Sequence, residues 1–505
     1  MNLAHLIEKD ADTYPDHPGI VFEGEKITYR ELNTKAGQIA SALKNMGVTK
    51  GDRVGLQLPN CPEFIMTYFG ILKTGATVVP VNVMLKEQEI THILVDSGAK
   101  ILFTWKGFLS EVLPAVDKIK DFRNVVITGN AGGEGRGIPF ESMLDGEIPV
   151  TRAVDVIPEE DLAVIFYTSG TTGKPKGAML SHYNMVSNAF ATAETYKYSH
   201  EDTIISAMPM FHAAGQTNVM TAAFSQGASV VLLPRFAPEK VFEALTAQNA
   251  TVFIGVPTMY FQILYHPESD RFADNSLRLC LVGAASMPEK IFTEFGEKFK
   301  VVISEGYGLS EAAPVVSHNP VDGMKKPRSI GIPIPGVEMK IFDDEDRELP
   351  DGQIGELVIS GPNVMKGYLN NPKESSEALR GGWLHTGDMA YRDEDGYYFI
   401  VDRKKEMILT GGFNIYPREV EEVLFTHEKV AEAAVVGIPD MEKGEIAKAF
   451  IVLKEGQTAA IEEIMEFCRT RMAAYKAPRQ AEFIKTLPRN AAGKVLKRVL
   501  RGETE

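Results

Sequence analysis

The sequence predicts an α/β protein assembled from several units with parallel sheets. Short β-rich runs alternate with helical patterns from residue 20 to about 130, and again from about 161 to 330. Strand segments such as AKILF and NVVIT are almost continuously apolar, as expected of strands covered by helices on both faces. A length of 505 residues also exceeds the roughly 100 to 200 residues of an ordinary domain.

The first elements illustrate the alternation. Thr28 and Glu31 form a capping-box pattern that opens a helix, and Gly47 ends it. The apolar residues of this helix keep helical spacing: Leu32, Ala36, Ile39, Ala40, Leu43 and Met46. The elements predicted next are a strand over Arg53 to Leu58, a helix over Phe64 to Lys73, a strand over Ala76 to Val81, a helix over Glu87 to Asp96 and a strand over 101 to 104.

Changes in residue composition along the chain indicate how it is divided into domains. The glycine-rich segment from Asn130 to Gly137 is typical of an exposed loop, and from about residue 331 short strands lie between glycine and proline turns. After Asp402 a charged segment, DRKKE, precedes about 100 residues of mixed helix and strand. We therefore place the main domain boundary there, giving domains 1–402 and 403–505.

Composition excludes several classes of protein. A formal net charge of -15 argues against a nucleic-acid-binding surface, which requires clustered Lys and Arg. The cysteines Cys61, Cys280 and Cys468 are odd in number and widely spaced, which indicates neither disulfides nor a zinc site and favours the cytoplasm. The N-terminus lacks a signal-peptide pattern, and no apolar stretch reaches the ~18 residues of a transmembrane helix. Peripheral contact with a membrane surface stays open.

The chemical argument starts at TSGTTGKPKG, which follows the predicted strand DLAVIFY. Its glycines allow backbone N–H groups to approach a phosphate, its hydroxyls donate hydrogen bonds, and its lysines supply positive charge. It is not a Walker A loop, because Gly170 and Gly173 enclose two residues rather than four. A solvated turn has a similar composition. The candidate ATP-binding residues here are Thr168, Ser169, Gly170, Thr171, Thr172, Gly173, Lys174 and Lys176.

Seven further motifs follow this loop. They are MPMFHAAG (208–215), VGAAS (282–286), EGYGLSE (305–311), GWLHTGD (382–388), DRKKEMI (402–408), GGFNIYPREVEE (411–422) and PRNAAGKVLKR (488–498). With the loop, they resemble in order the motifs of the acyl-adenylate-forming superfamily, which contains acyl-CoA synthetases, peptide-synthetase adenylation domains and firefly-type luciferases. The resemblance implies a large N-terminal domain of two doubly wound α/β subdomains plus a β-barrel-like subdomain. It also implies a small, mobile α+β C-terminal domain.

The resemblance assigns roles to residues of the nucleotide site. Ser310 would place a hydroxyl on the α-phosphate, where the family more often has Thr, and Glu311 would bind Mg²⁺, a hard cation that prefers oxygen ligands. Asp388 and Arg403 would contact the ribose. By themselves these residues also fit helix caps, a tight turn and a surface charge. The adenine slot and the adjoining ATP contact would comprise Gly283, Ala284, Ala285, Gly306, Tyr307 and Gly308.

Other residues match family positions that serve the two half-reactions. Lys494 would bridge the substrate carboxylate and the α-phosphate during adenylation, and His212 would position the acid without acting as a base. Asp402 would be the hinge about which the C-terminal domain rotates. A narrow tunnel for the pantetheine of CoA would be formed by Gly411, Gly412 and Phe413.

The predicted acyl pocket is apolar apart from one histidine. Its residues are Phe211, His212, Phe253, Met259, Gly308, Ala312, Ala313, Pro314 and Val315. No Asp marks a place for an α-ammonium group, which favours aliphatic or aromatic acids over amino acids. The resemblance thus implies an ATP-dependent acyl-CoA synthetase that uses ATP, Mg²⁺ and coenzyme A, and we expect a medium- or long-chain fatty acid as substrate.

Alternatives remain. Four other functions would use the same fold: an aryl-CoA ligase, an adenylating enzyme that loads a carrier-protein thiol, a luciferase-like oxygenase, and a non-catalytic nucleotide or acyl sensor. The segments GGFNIYPREVEE and YKAP (475–478) resemble those of CoA ligases, which favours CoA as acceptor. Glu311, Asp388 and Lys494 argue against a sensor. The choice between monomer and homodimer is open.

Overall fold

The structure is a computed structural model that describes residues 1–129, 137–145, 148–168, 175–283, 287–410, 413–489 and 495–502. The chain folds into two compact units. The first comprises Met1–Glu338 and Ile359–Leu384, and the second comprises Met339–Val358 and His385–Glu505. The boundary after Asp402 stays a prediction.

The first unit alternates strands and helices, as predicted. Its strands are β1 Pro18–Phe22, β2 Glu25–Thr28, β3 Arg53–Gln57, β4 Thr77–Pro80, β5 Ile101–Trp105, β6 Asn124–Thr128, β7 Ile138–Pro139, β8 Leu162–Thr168, β9 Lys176–Ser181, β10 Thr203–Ser206, β11 Ser229–Leu232, β12 Val252–Gly255, β13 Leu279–Val282, β14 Val302–Gly308, β15 Val315–His318 and β16 Ile332–Pro333. Its α-helices are α1 His5–Thr13, α2 Tyr29–Asn45, α3 Pro62–Lys73, α4 Glu87–Ser97, α5 Leu109–Asp117, α6 His182–Tyr196, α7 Ala222–Ser225, α8 Pro238–Gln248, α9 Pro257–Leu264, α10 Glu289–Phe299 and α11 Pro372–Ala378. A π-helix covers Gly215–Thr221, and 3₁₀ turns cover Lys106–Phe108, Phe140–Met143, Ser269–Phe272, Ser310–Ala312 and Arg380–Gly382.

These strands form two mixed, mostly parallel sheets. One has the order β7-β6-β5-β3-β4-β8-β9, and the other β16-β15-β14-β13-β12-β10-β11-β1-β2. Antiparallel pairs occur at the edges, where β9 joins β8, β2 joins β1, and β15 and β16 follow β14. Inner strands such as β4 and β13 are buried along their whole length. The prediction of parallel sheets covered on both faces is confirmed.

Local signals in the sequence explain where helices begin and end. The Thr28 hydroxyl accepts a hydrogen bond from Glu31 N, and the Glu31 carboxylate accepts one from Thr28 N at 2.8 Å, so the predicted capping box is present. Helix α2 ends at Asn45, two residues before Gly47, whose φ is 80°. Helix α3 begins at Pro62, earlier than predicted, because proline suits the first helical position. The predicted loop 130–137 lies outside the described residues except for Gly137.

The second unit contains two sheets and three α-helices among its described residues. Its strands are β17 Glu338–Phe342, β18 Gly355–Ser360, β19 Leu384–Arg392, β20 Tyr398–Arg403, β21 Ile408–Thr410, β22 Phe413–Ile415, β23 Val430–Asp440, β24 Gly444–Leu453 and β25 Gln480–Phe483, of which β17, β18 and β19 begin or end in residues of the first unit. Its helices are α12 Pro417–Phe425, α13 Ile461–Arg469 and α14 Lys497–Leu500, with a 3₁₀ turn at Lys404–Glu406. One sheet has the order β17-β18-β19-β20; the other has the order β22-β21-β24-β23, with β25 parallel to β24.

The expectation of a β-barrel-like subdomain is wrong in one respect. The four strands β17 to β20 form an open sheet, and within the described part of the chain its outer strands are not paired with each other. The physical reason is that a sheet closes only when its first and last strands pair, and four strands are too few to curve around an interior filled by side chains. The α/β class and the separate C-terminal region are confirmed. None of the helices in the described ranges is long and apolar enough to cross a bilayer.

A buried carboxyl in α1 makes stability depend on pH. Asp10 has no exposed surface, and burial raises its pKa from 3.8 to about 7. The folded chain therefore binds this proton more tightly than the unfolded chain does. Its contribution to stability is complete below pH 3.8 and is lost as the pH rises to about 7, at a cost of about 4 kcal/mol.

We therefore expect Asp10→Asn to gain stability relative to the parent chain as the pH rises. Between pH 5 and pH 8 the difference in unfolding free energy should grow by about 2 to 3 kcal/mol. Urea unfolding at both pH values measures it, with Asp274→Asn at an exposed acidic residue as the control. A difference that is constant with pH would contradict the prediction.

Candidate active site

The phosphate-loop candidate joins two antiparallel strands of the first unit. Strand β8 ends at Thr168 and β9 begins at Lys176, and these two residues are cross-strand partners. The ladder therefore brings the two ends of the loop together. Six predicted ATP-binding residues lie outside the described residues: Ser169, Gly170, Thr171, Thr172, Gly173 and Lys174.

Glu311 lies beside the first end of this loop. It is carried by the one-turn helix Ser310–Ala312, directly after β14, and Ser310 beside it is half-buried. The Glu311 Oε1 atom accepts hydrogen bonds from Thr168 Oγ1 and from the Tyr368 hydroxyl, each at 3.1 Å. Both bonds end on Oε1, so neither occupies Oε2. Thr168, at the first end of the loop, and Glu311 are therefore in direct contact.

Lys176, at the other end of the loop, contacts a carboxylate and an aromatic ring. Its ammonium forms an ion pair with Glu374 of α11 and lies 5.1 Å from the centre of the Tyr368 ring. Both side chains of the ion pair are largely buried, with 14% of Lys176 and 24% of Glu374 exposed. Burial, together with the Glu311 charge, raises the pKa of Tyr368 well above its usual value, so its hydroxyl keeps the donor proton.

The sequence analysis did not identify Tyr368 and Glu374. They follow Gly367 in the segment GYLNNPKE, almost 200 residues after the loop that they contact. A backbone bridge between Ala178 and Tyr368 brings the segment to β9. The available signal was a tyrosine ahead of a proline-initiated helix, which does not specify a partner so distant in sequence.

The predicted adenine segments lie at neighbouring strand ends. Strands β13 and β14 are parallel with Val282 opposite Glu305, so Gly283 and Gly306 follow side by side. Gly308 must be glycine, because a Cβ there would lie 2.0 Å from the Pro314 carbonyl oxygen. Tyr307 is partly buried and its strand pairs with β15. The other two predicted residues, Ala284 and Ala285, lie outside the described part of the chain.

Two buried asparagines hold part of the predicted acyl pocket. Asn188 Oδ1 accepts from Val315 N at 3.0 Å, and Asn188 Nδ2 donates to the Val315 carbonyl at 2.7 Å. Asn363 Nδ2 donates to the carbonyl oxygens of Ala312 and Val315. The segment that also contains Ala313 and Pro314 is buried and held by hydrogen bonds to its backbone.

The other residues of the predicted acyl pocket lie in two places. Two are on a loop that is held by hydrogen bonds, and two pack in or against the hydrophobic core. Asn60 Oδ1 accepts from Met210 N at 2.9 Å and so positions the loop that carries Phe211 and His212, whose half-buried rings are in contact. Phe253 of β12 is fully buried in the hydrophobic core. The half-buried Met259 packs against the same core.

The predicted ribose residues form an ion pair in the second unit. Asp388 of β19 and Arg403 of β20 are cross-strand partners, and Asp388 Oδ1 lies 2.5 Å from Arg403 Nε. Asp388 is buried, whereas 46% of the Arg403 side chain is exposed. A fixed carboxylate beside a guanidinium offers both an acceptor and donors to a polyol.

The proposed hinge residue is also strongly held. Asp402 is buried, and its carboxylate accepts from Arg403 N at 2.7 Å and from Arg418 N at 2.8 Å. Arg418 lies in the first turn of α12, so Asp402 caps a helix from a neighbouring strand. Burial raises the pKa of the Asp402 carboxyl, and the charge of Lys497 partly opposes this rise.

Only one of the predicted CoA-tunnel residues is described. Phe413 is exposed and stacks on Tyr475 with 4.8 Å between ring centres. Gly411 and Gly412 lie outside the described residues, as does the predicted catalytic residue Lys494.

The carboxylate of Glu311 suits a magnesium ion whose other ligands are mainly phosphates. In the described residues there is no group of three or more His, Cys, Asp or Glu side chains able to enclose a metal ion. Mg²⁺ is usually bound through one or two carboxylates plus substrate phosphates. Glu311, with Oε2 outside the two hydrogen bonds, fits this requirement.

Comparisons with known proteins identify the family of this chain. The model of the AMP-binding enzymes matches residues 7–369, and the model of the AMP-binding enzyme C-terminal domain matches residues 419–494. The chain belongs to the AMP-binding enzyme family. Within this family of the acyl-adenylate-forming superfamily it is an acyl-CoA synthetase, an acid–thiol ligase.

The similar AMP-binding enzymes act on different acids. A long-chain-fatty-acid–CoA ligase of Bacillus subtilis is 38% identical, covering 100% of this chain and 95% of the relative. A feruloyl-CoA synthase of Amycolatopsis is 37% identical, covering 94% and 93%. The crystal structure of the anthranilate CoA ligase AuaEII with anthranoyl-AMP has a TM-score of 0.92 at 30% identity, covering 99% and 97%.

Proposed function

We propose that the protein couples a carboxylic acid to coenzyme A in two steps at the expense of ATP. The acid and ATP form acyl-AMP and pyrophosphate, and acyl-AMP and CoA then form acyl-CoA and AMP. The observation that carries the proposal is the contact of Thr168 with Glu311 at the base of the phosphate loop, in a chain that matches CoA ligases along its whole length.

In the first step a carboxylate oxygen of the acid attacks the α-phosphorus, and pyrophosphate leaves. Lys494 neutralises the two approaching anions, and the Ser310 hydroxyl binds the α-phosphate. Glu311 is the protein ligand for Mg²⁺, which when bound offsets the negative charge of the phosphates. His212 positions the acid, because a carboxylate is already a nucleophile and needs no base.

Other residues hold the nucleotide during this step. Asp388 and Arg403 bind the ribose, and Tyr307 stacks on the adenine beside the strand ends at Gly283 and Gly306. The phosphate loop supplies backbone donors and lysine charge. The ion pair of Asp388 with Arg403 supports this assignment, because it holds both groups in place before a ligand binds.

In the second step the CoA thiol attacks the acyl carbonyl carbon, and AMP leaves with the electron pair of the acyl–phosphate bond. We propose that the thiol takes the place that Lys494 has during adenylation, and that the C-terminal domain from residue 403 rotates about Asp402 to allow this. The segment with Gly411, Gly412 and Phe413 would then form the pantetheine tunnel.

The hinge is best tested by Asp402→Asn. A proline at this position would interrupt β20, where Asp402 pairs with Met389, and would damage the fold whether or not it is a hinge. The amide removes the charge that caps α12, so we expect the two half-reactions to change by different factors. Pyrophosphate release and thioester formation from supplied acyl-AMP measure them separately.

Asp440→Asn is the matched control for this test. Its carboxylate likewise accepts two backbone N–H groups, from Glu442 at 3.0 Å and Lys443 at 2.9 Å, in the turn between β23 and β24. It should change both half-reactions little. Equal losses in folded Asp402→Asn would contradict the hinge.

For the acid itself we propose a medium- or long-chain fatty acid, with an aromatic acid as the second candidate. The apolar residues of the predicted pocket support both, and similar proteins include a fatty-acid ligase and a feruloyl ligase. A panel from acetate through long-chain fatty acids to benzoate and cinnamate, read by mass spectrometry with ATP, Mg²⁺ and CoA, separates the two. Acyl-AMP that accumulates without thioester would indicate carrier loading or an oxygenase instead.

We further propose a cytoplasmic location. All three cysteines are free thiols, and Cys280 and Cys468 are buried. A reducing compartment preserves such thiols.

A further inference from the structure

Tyr368 connects both ends of the phosphate loop. Its hydroxyl donates to Glu311 Oε1, which also accepts from Thr168 at the first end. Its ring lies against the ammonium of Lys176 at the second end. Its backbone bridges Ala178 of β9. One residue therefore contacts the predicted metal ligand and the strand that begins after the loop.

Tyr368 is itself held in a single place. Its backbone N–H donates to Ser375 Oγ at 2.8 Å, and Ser375 lies in α11. Glu374 from the same helix binds Lys176, which keeps the ammonium beside the ring. The backbone, the ring and the hydroxyl of Tyr368 therefore each have a partner.

Glu311 needs such support. It lies on a single 3₁₀ turn, and a glutamate side chain has three rotatable bonds. The two hydrogen bonds fix Oε1 and leave Oε2 outside them. Removing the Tyr368 hydroxyl would leave the carboxylate with the Thr168 bond as its one side-chain hydrogen bond from the described residues. A ligand bound through Oε2 would then have to order the side chain as it binds.

We propose that Tyr368 is a positioning residue that orients the Glu311 carboxylate for magnesium-bound ATP. This inference rests on the proposed function, because it assumes that Glu311 binds the metal. Tyr368 does not contact the reacting atoms; it acts through Glu311. A purely structural tyrosine would change stability without changing how strongly Mg²⁺ promotes nucleotide binding.

The test compares the binding of a non-hydrolysable ATP analogue with and without Mg²⁺ by calorimetry, using the full chain. In Tyr368→Phe we expect the gain in affinity caused by Mg²⁺ to fall about tenfold, the loss typical of a hydrogen bond to a charged group. Affinity without Mg²⁺ should stay within about twofold, because the metal-free nucleotide does not use Glu311.

Tyr167→Phe is the matched control. Tyr167 precedes Thr168 in β8, and its hydroxyl also donates to a carboxylate, that of Asp96, at 2.7 Å. The control loses the same type of bond one residue away, but its partner is not Glu311. We expect an unchanged Mg²⁺ effect in Tyr167→Phe, and thermal unfolding of both variants reports any loss of fold.

A second comparison shows whether Tyr368 acts through Glu311. In a Glu311→Gln background, Tyr368→Phe should cause no further loss of the Mg²⁺ effect. An additive loss, or an unchanged Mg²⁺ effect in Tyr368→Phe alone, overturns the inference and leaves the proposed function intact. Absence of Mg²⁺-dependent nucleotide binding in the parent chain overturns the proposed function, and the inference with it.

Discussion

Glu311→Gln is expected to slow adenylate formation by about 10² to 10³-fold, the loss typical when one preorganised charge-stabilising group is removed. Glutamine has nearly the same shape, and its amide oxygen still accepts from Thr168 and Tyr368. It lacks the negative charge that a hard cation requires. Release of pyrophosphate with a competent acid measures the effect.

A control variant and a measurement of the second half-reaction show whether this loss is specific to Glu311 and to adenylation. Glu377→Gln, an exposed acidic residue in α11, should retain the parent rate and the parent unfolding temperature. Thioester formation from supplied acyl-AMP should change less than tenfold in Glu311→Gln, because that step involves no β- or γ-phosphate. A loss of adenylation below tenfold in folded protein would rule out Glu311 as the metal ligand.

Lys494→Met is expected to cause a loss of similar size in the same half-reaction, about 10² to 10³-fold. Methionine keeps an unbranched side chain but removes the cation that, in the proposed mechanism, reduces repulsion between the substrate carboxylate and the α-phosphate. Because acyl-AMP already contains the bond that this cation helps to form, thioester formation from supplied acyl-AMP should remain near the parent rate. Both rates are measured on the same preparation.

Lys485→Met is the control for this prediction. Lys485 is an exposed lysine nine residues earlier in the chain, and its replacement likewise removes one positive charge. It should alter neither half-reaction by more than about twofold. Equal losses of both half-reactions in Lys494→Met would show that this lysine is not specific to adenylation.

Much of the architecture follows from local patterns. The capping box at Thr28, the apolar strands and the glycine after α2 depend on neighbours within a few residues, so the sequence alone predicts them. The barrel-like subdomain was implied by resemblance, and the open sheet of β17 to β20 corrects it. Closure of a sheet depends on pairing between distant strands, which no local pattern reports.

The candidate site also contains residues that the sequence predicts and residues that only the structure reveals. Motifs in this sequence predict Thr168, Glu311 and Asp388 as site residues by residue type and order. They did not identify Tyr368, Glu374 or Asn188, whose partners are far away in the chain. These residues carry common side chains with no unusual neighbours in sequence, so only their contacts reveal a role.

By itself the sequence determined the α/β class and the family to which its motifs point, and it predicts a phosphate loop. Those features need only short-range periodicity and a run of characteristic residue types. The tertiary structure alone decided that Asp402 caps α12, that Asp388 meets Arg403, and that Tyr368 contacts Glu311. A hydrogen bond or ion pair depends on atoms separated by about 3 Å in space, and the fold brings them together across any distance in sequence.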